Sequence, residues 1–300
     1  MAGSIVLAIW AFLPEPERSK NVAVAPSVSP PSEIALRSET VIAVGDIAVC
    51  GSQNDELTGQ LVEGLPGPIL ALGDIAYESG TEQDFEDCFD PSWGTLKDRI
   101  RSVPGNHDYE TADGAAYYNY FGDAAGSPGQ GWYSFEIGDW HVIALNSNCR
   151  TVACDAGSPQ GQWLKADLAQ NENRCTLAFW HHARWSSGEH GNNRKLGDLW
   201  TMLYDAGADV VLTGHDHDYE RFAPMNAEGS ADPTRGIRQF VVGTGGRALD
   251  PFIDVLATSE ARSNVSYGVL RLGLSADRYD WEFIPADAGG YTDAGSGACH

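Results

Sequence analysis

Hydrophobic positions along this chain come in short unbroken runs that stop at small polar clusters. Residues 40–44 (T-V-I-A-V) end in Gly45-Asp46, residues 68–72 (P-I-L-A-L) end in Gly73-Asp74, and residues 100–103 lead into Pro104-Gly-Asn-His-Asp108. Runs without the alternation of a half-exposed strand predict strands buried on both faces. Between them, residues 55–63 and 82–89 predict helices, so this part of the chain reads as βαβ units. Each strand then delivers an Asp or Asn to its carboxyl end, which is where open α/β sheets bind ligands.

The second half continues the pattern. Residues 132–137 and 140–145 flank Gly138-Asp139, a hairpin signal. Ser158-Pro159 opens an amphipathic helix reaching residue 168. Residues 176–180 form a buried strand ending in His181-His182, residues 196–204 alternate as a helix, and the strand 209–212 runs into Gly214-His215-Asp216-His217. Further strands are expected at 239–242, 267–272 and 279–284. Without repeats or a later linker, one α/β domain over residues 39–300 follows. Residues 1–38 read as a flexible leader rich in Pro, Ser, Ala and Glu. Its apolar run, residues 5–13, is too short to span a bilayer. It has the length of a secretory core but neither a positive start nor a clear cleavage site, which reads as a degenerate signal segment.

Composition narrows the function. A formal charge of −23 with only four lysines argues against nucleic acid as a partner. An anionic substrate would need local positive charge, and bound metal ions are the obvious source. Six cysteines with no C-x-x-C pair argue against a zinc ribbon. The pairing expected among the fifteen possible is Cys50–Cys88, Cys149–Cys154 and Cys175–Cys299. Together with the leader it points to a secreted, periplasmic or cell-surface protein. No stable membrane span is expected, and the oligomeric state is left open.

Collected from the strand ends, Asp46, Asp74, Asn106, His107, His181, His215 and His217 form a mixed nitrogen and oxygen donor set. Such a set suits Zn, Fe, Mn or Mg better than a thiolate-loving ion. Alternate residues of an extended loop point the same way, so His215 and His217 can share one site while Asp216 and Asp218 point away. The donors exceed the needs of one ion, as in two-metal phosphoesterases. His141, inside a strand, reads as structural, and His300 as uninvolved. Gly243-Thr-Gly-Gly246 lacks any phosphate-loop pattern and reads as a tight turn. Glu220 and Arg221 read as braces, and the aromatic run 117–121 as packing. Asn264-Val-Ser266 is a lone glycosylation sequon.

The order G-D46, G-D-x-x-Y (73–77), G-N-H-D (105–108), H-H (181–182) and G-H-x-H (214–217) resembles the calcineurin-like metallophosphoesterases, and more narrowly the purple acid phosphatases. Most of the wider group carries D-x-H at the first strand. Here Asp46-Ile-Ala48 has no histidine, and Tyr77 stands three residues after Asp74 instead. The resemblance implies a four-layer αββα sandwich, two mixed sheets flanked by helices. It implies Fe(III) at Asp46, Tyr77 and His217, and Zn, Fe or Mn at Asn106, His181 and His215, with Asp74 bridging the two ions. A metal-bound hydroxide would hydrolyse phosphate monoesters of small phosphorylated substrates, with His107 contacting phosphate or protonating the leaving group. Asn106, His107, His182 and His190 are the expected substrate contacts. A phosphodiesterase on the same site is the alternative, and a catalytically silent phosphate- or metal-binding protein a weaker one. Plant-type relatives carry an additional N-terminal β-sandwich, for which residues 1–38 have no room.

Overall fold

A computed structural model describes residues 1–3 and 38–300; the apolar run 5–13 and nearly all of the expected leader lie outside the described residues. The first strand, β1 (Glu39–Val44), is central in a six-stranded sheet. Its neighbours are β3 (Ile69–Ala71), then β5 (Ile100–Ser102), on one side, and β13 (Gly268–Ser275), β14 (Arg278–Pro285) and β15 (Asp293–Ala298) on the other. Two-residue strands β2 (Ala48–Val49) and β4 (Ala76–Tyr77) pair in parallel just beyond β1 and β3. The second sheet has seven strands in the order β12 (Ser259–Ser263), β10 (Tyr219–Phe222), β11 (Arg238–Val242), β9 (Val210–Gly214), β8 (Cys175–His182), β7 (Trp140–Ala144) and β6 (Tyr133–Ile137).

Side-chain parity assembles four layers. Val41, Ala43, Leu70 and Leu72 from the first sheet meet Val142, Ala144, Leu177, Phe179, Val210 and Leu212 from the second, all fully buried. The opposite parity of β1 and β3, with Ile42, Val44, Ile69 and Ala71, packs on Val62, Phe85, Phe89 and Trp93 from the helical layer. On the far side Ile143, Ala178, Trp180 and Val211 pack on Leu164, Leu199, Trp200 and Leu203. Strands covered on both faces have no polar side to display, which is why their sequences read as unbroken apolar runs. The fold is the expected αββα sandwich with two mixed sheets.

Some boundaries differ from expectation. The segment 82–89 is not one regular helix. It opens as Glu82–Asp84 behind a Thr81 capping box, widens through Phe85–Phe89 and closes as Asp90–Trp93. Strands β10, β12 and β15 had no sequence signal. All three cysteine pairs form as expected: Cys50–Cys88, Cys149–Cys154 and Cys175–Cys299. Parallel pairing of β1 with β3 and of β3 with β5, and of β7, β8, β9 and β11 in the other sheet, aligns their carboxyl ends along one edge of the sandwich.

Candidate metal centre

At that edge the chain turns sharply after each strand. Asp46, Asp74 and His215 all take the left-handed backbone region, with φ of 60°, 51° and 75°. Non-glycine residues enter that region at a cost and cluster where structure over-determines them, commonly at functional sites. Two glycines permit the close approach. A Cβ on Gly105 would sit 2.0 Å from Asp74 Oδ1, and one on Gly214 would sit 2.5 Å from Asp46 Oδ2. At Gly105 and Gly214, the residues before Asn106 and His215, glycine is thus a steric requirement of the carboxylates opposite.

Two groups of donors share Asp74. In the first, the Tyr77 hydroxyl donates to Asp46 Oδ1 at 2.9 Å and lies 3.3 Å from both Asp74 Oδ2 and His217 Nε2. His217 Nε2 is 3.5 Å from Asp46 Oδ1. In the second, His181 Nε2 lies 3.2 Å from Asp74 Oδ2, from Asn106 Oδ1 and from His215 Nδ1. All seven residues of the expected metal set therefore converge, and Asp74 Oδ2 stands between the groups. Outer contacts aim the imidazoles. His181 Nδ1 donates to the Leu72 carbonyl at 2.8 Å, and His217 Nδ1 faces the Ala248 carbonyl at 3.0 Å and Asp250 Oδ2 at 2.9 Å. Each leaves Nε2 for the centre, the arrangement that orients metal-binding histidines.

Burial dominates the electrostatics of this group. Burial pushes Asp46 up to about 8, although His181 pulls the other way. Burial also opposes ionisation of Asp74, but His181 and His107 outweigh it and hold Asp74 below the usual carboxylate range. Burial lowers the His217 imidazole to about 4 and drives His215 well below its ordinary value, with His182 adding to the effect. Burial, Asp46 and Asp74 hold the Tyr77 phenol well above its ordinary value. His181 differs from the other two imidazoles: burial opposes its protonation, but Asp74 and Asp46 outweigh it and raise it to about 9. Two imidazoles held neutral, one whose proton a metal ion would replace, a buried carboxylate pair and a phenol form a donor set that two metal ions fit.

The expected substrate contacts sit around this group. The His107 amide donates to Asp74 Oδ1 at 2.9 Å, and its Nδ1 donates to the Glu78 carbonyl at 2.5 Å. The ring packs 4.7 Å from that of Tyr77. His182 and His190 line a cleft of about 610 Å³ that also exposes Asn106 and His215. The His190 ring stacks on His215 at 4.3 Å. Asp216, pointing away from the donors, accepts the His190 amide at 2.7 Å, and Glu220 accepts the Ser187 amide at 2.9 Å. Carboxylates of the histidine motif thus hold the His190 loop from beneath. Arg221 instead ties β10 to β15 through Asp293. His141 is clamped between Glu136 and Asp167 away from the centre, and His300 pairs with Asp209. The 243–246 turn closes on the Asp46 loop through Gly245 N to Gly45 O at 3.0 Å.

Three neighbours were missed by reading the sequence. Asp108 is fully buried and accepts the amides of Asp74, Ile75 and Gly105 at 3.0, 3.2 and 2.8 Å. It stands inside the G-N-H-D motif, so its position was visible although its partners were not. Arg247 covers the Tyr77 ring at 4.7 Å, and Arg150 enters the cleft wall. No local signal marks either of them.

Comparison with known proteins agrees with this geometry. The calcineurin-like phosphoesterase family pattern matches residues 39–219. Purple acid phosphatase 15 of Arabidopsis thaliana is 29% identical over 232 residues, covering 65% of this chain and 42% of the relative. Purple acid phosphatase 18 of the same plant is 30% identical, covering 59% and 43%. The chain thus spans less than half the length of these curated relatives. Among solved structures, a purple acid phosphatase from yellow lupin seeds superposes with a TM-score of 0.75 at 18% identity, over 86% of this chain and 53% of that one, which supports the fold.

Proposed function

Because the chain belongs to the calcineurin-like phosphoesterase family, we propose that it hydrolyses phosphate monoesters at a dinuclear metal centre. The observation that carries this reading is Asp74 Oδ2, which lies 3.3 Å from the Tyr77 hydroxyl of one donor group and 3.2 Å from His181 Nε2 of the other. One group would hold Fe(III) through Asp46, Tyr77 and His217. The other would hold Zn, Fe or Mn through Asn106, His181 and His215, with Asp74 common to both. When bound, the ions would polarise the phosphoryl oxygens and make a water acidic enough to attack phosphorus.

The remaining work falls to side chains. With Nδ1–H committed to the Glu78 carbonyl, neutral His107 keeps its Nε2 lone pair toward the centre, 4.0 Å from Asp74 Oδ2. Protonated, that atom can hold a phosphoryl oxygen or deliver a proton to the leaving alkoxide. Burial lowers His182 to about 3, so it is neutral at physiological pH. Ser147 Oγ lies 2.9 Å from its Nδ1; with that hydroxyl donating, Nε2–H faces the cleft as a donor. Asn106 and His190 complete the contacts to a small phosphorylated substrate. Three disulfides support an oxidising setting, secreted, periplasmic or at the cell surface. Among the described residues no helix is long and apolar enough to cross a membrane.

The test is turnover of p-nitrophenyl phosphate against its bis-ester by purified protein loaded with iron plus zinc or manganese. A monoester preference of about tenfold or more, lost on His107→Ala with metal content retained, is the expected result. A diester preference would leave the centre in place and make the protein a phosphodiesterase. Turnover of neither ester would remove the hydrolase reading.

A further inference from the structure

We propose that the part of the cleft lined by Arg150 and Lys195 is a second-anion subsite, in which these two side chains hold a further phosphate carried by the leaving group. The favoured substrates are then esters bearing two phosphates rather than one. Asn106, His182 and His215 share the lining of one cleft with Arg150, Asn193 and Lys195. Its volume of about 610 Å³ is in the range that accommodates a whole small molecule, so a single phosphoryl group would leave most of it for the leaving group.

The charge of the wall identifies what that leaving group carries. The chain has 42 acidic residues against 19 Lys and Arg, and only four lysines. Among the described residues, nonetheless, none of the cleft's lining residues is an Asp or Glu, and two are fixed-sign cations. Neither Arg150 nor Lys195 has a carboxylate within 4.0 Å among the described residues, so both charges are free to meet an anion in the cleft. A local patch of unpaired positive charge on a strongly acidic protein marks where an anion is wanted.

Both charges are carried on braced loops. Arg150 lies in the loop closed by Cys149–Cys154, where the amides of Thr151 and Val152 donate to the Asn148 carbonyl at 2.8 and 2.9 Å. Lys195 lies in the short turn Arg194–Leu196, whose start is capped by Asn193 Oδ1 accepting from Lys195 N at 3.1 Å. A planar guanidinium and a point-charge ammonium lining one cleft suit a phosphate group.

Because the subsite matters to turnover only if the centre hydrolyses esters as proposed above, two kinds of measurement are needed. On the metal-loaded full chain, propane-1,3-diol bisphosphate should exceed the monophosphate in kcat/KM by about tenfold or more, through a lower KM. The double variant Arg150→Ala/Lys195→Ala should collapse that preference to about one, and Arg150→Lys should keep part of it. In parallel, calorimetry compares propane-1,3-bisphosphonate with propylphosphonate, neither of which can be hydrolysed. Tighter binding of the bisphosphonate, lost in the double variant, is expected even if no ester turns over, an outcome that would sink the hydrolase reading alone. Equal affinity of wild type for the two phosphonates, or a preference that survives the double variant, overturns the subsite.

Discussion

The Tyr77 hydroxyl donates to Asp46 Oδ1 across 2.9 Å, joining residues 31 apart in sequence, one in β4 and the other in the turn after β1. Without a cation that phenol stays protonated, held there by burial and two carboxylates. A trivalent ion reverses the balance, since it favours phenolate over phenol. Protein loaded with iron and oxidised should therefore show a visible phenolate-to-iron absorption band, and Tyr77→Phe should lack it while still taking up iron. A band of equal strength in the variant would assign the colour elsewhere.

Asp108 should matter to stability far more than its absence from the donor set suggests. It accepts three buried amides, two of them at Asp74 and Ile75. Each orphaned buried N–H costs about 1–3 kcal/mol, so Asp108→Ala should lose about 3 kcal/mol or more in the metal-free protein. Asp108→Asn keeps one acceptor oxygen and should lose less. Denaturant midpoints measure both, and equal stabilities would contradict the clamp.

His141 provides a pH dependence remote from the metal centre. Burial opposes its protonation, but Asp167 at 2.8 Å from Nε2 and Glu136 at 2.7 Å from Nδ1 outweigh it and raise its pKa above the ordinary 6.5. A raised folded pKa means that the stabilisation is complete below about 6.5 and is lost as pH rises through the raised value. The unfolding free-energy difference between wild type and His141→Gln should therefore be largest near pH 6 and shrink at alkaline pH. A difference that grows with pH would reverse the assignment.

The disulfides should contribute unequally. Cys175–Cys299 closes a separation of 124 residues and Cys149–Cys154 one of 5. Loop-closure entropy assigns them about 4–5 and about 2 kcal/mol respectively. Paired alanine variants compared by urea unfolding should reproduce that order. Mass spectrometry of unreduced protein should show each linked peptide, and free thiols at both Cys149 and Cys154 would undo the case for an oxidising compartment.

What the sequence determined by itself was the set of strands buried on both faces, and through them the ends at which Asp46, Asp74, Asn106, His181, His215 and His217 emerge. Those features are local: an apolar run, a glycine that admits close backbone approach, and a polar residue immediately after. Strands β10, β12 and β15 were not legible. Ser259–Ser263 and Asp293–Ala298 are polar sheet edges, and Tyr219–Phe222 directly follows the histidine loop, so backbone pairing defines them rather than an apolar pattern. Only the tertiary structure decided that Asp108 clamps the Asp74 turn, that Asp216 and Glu220 carry the His190 loop, and that Arg150 and Lys195 face one cleft. Each depends on which distant backbone or charge comes within hydrogen-bond or Coulomb range, and hydrophobic spacing along the chain carries no record of that.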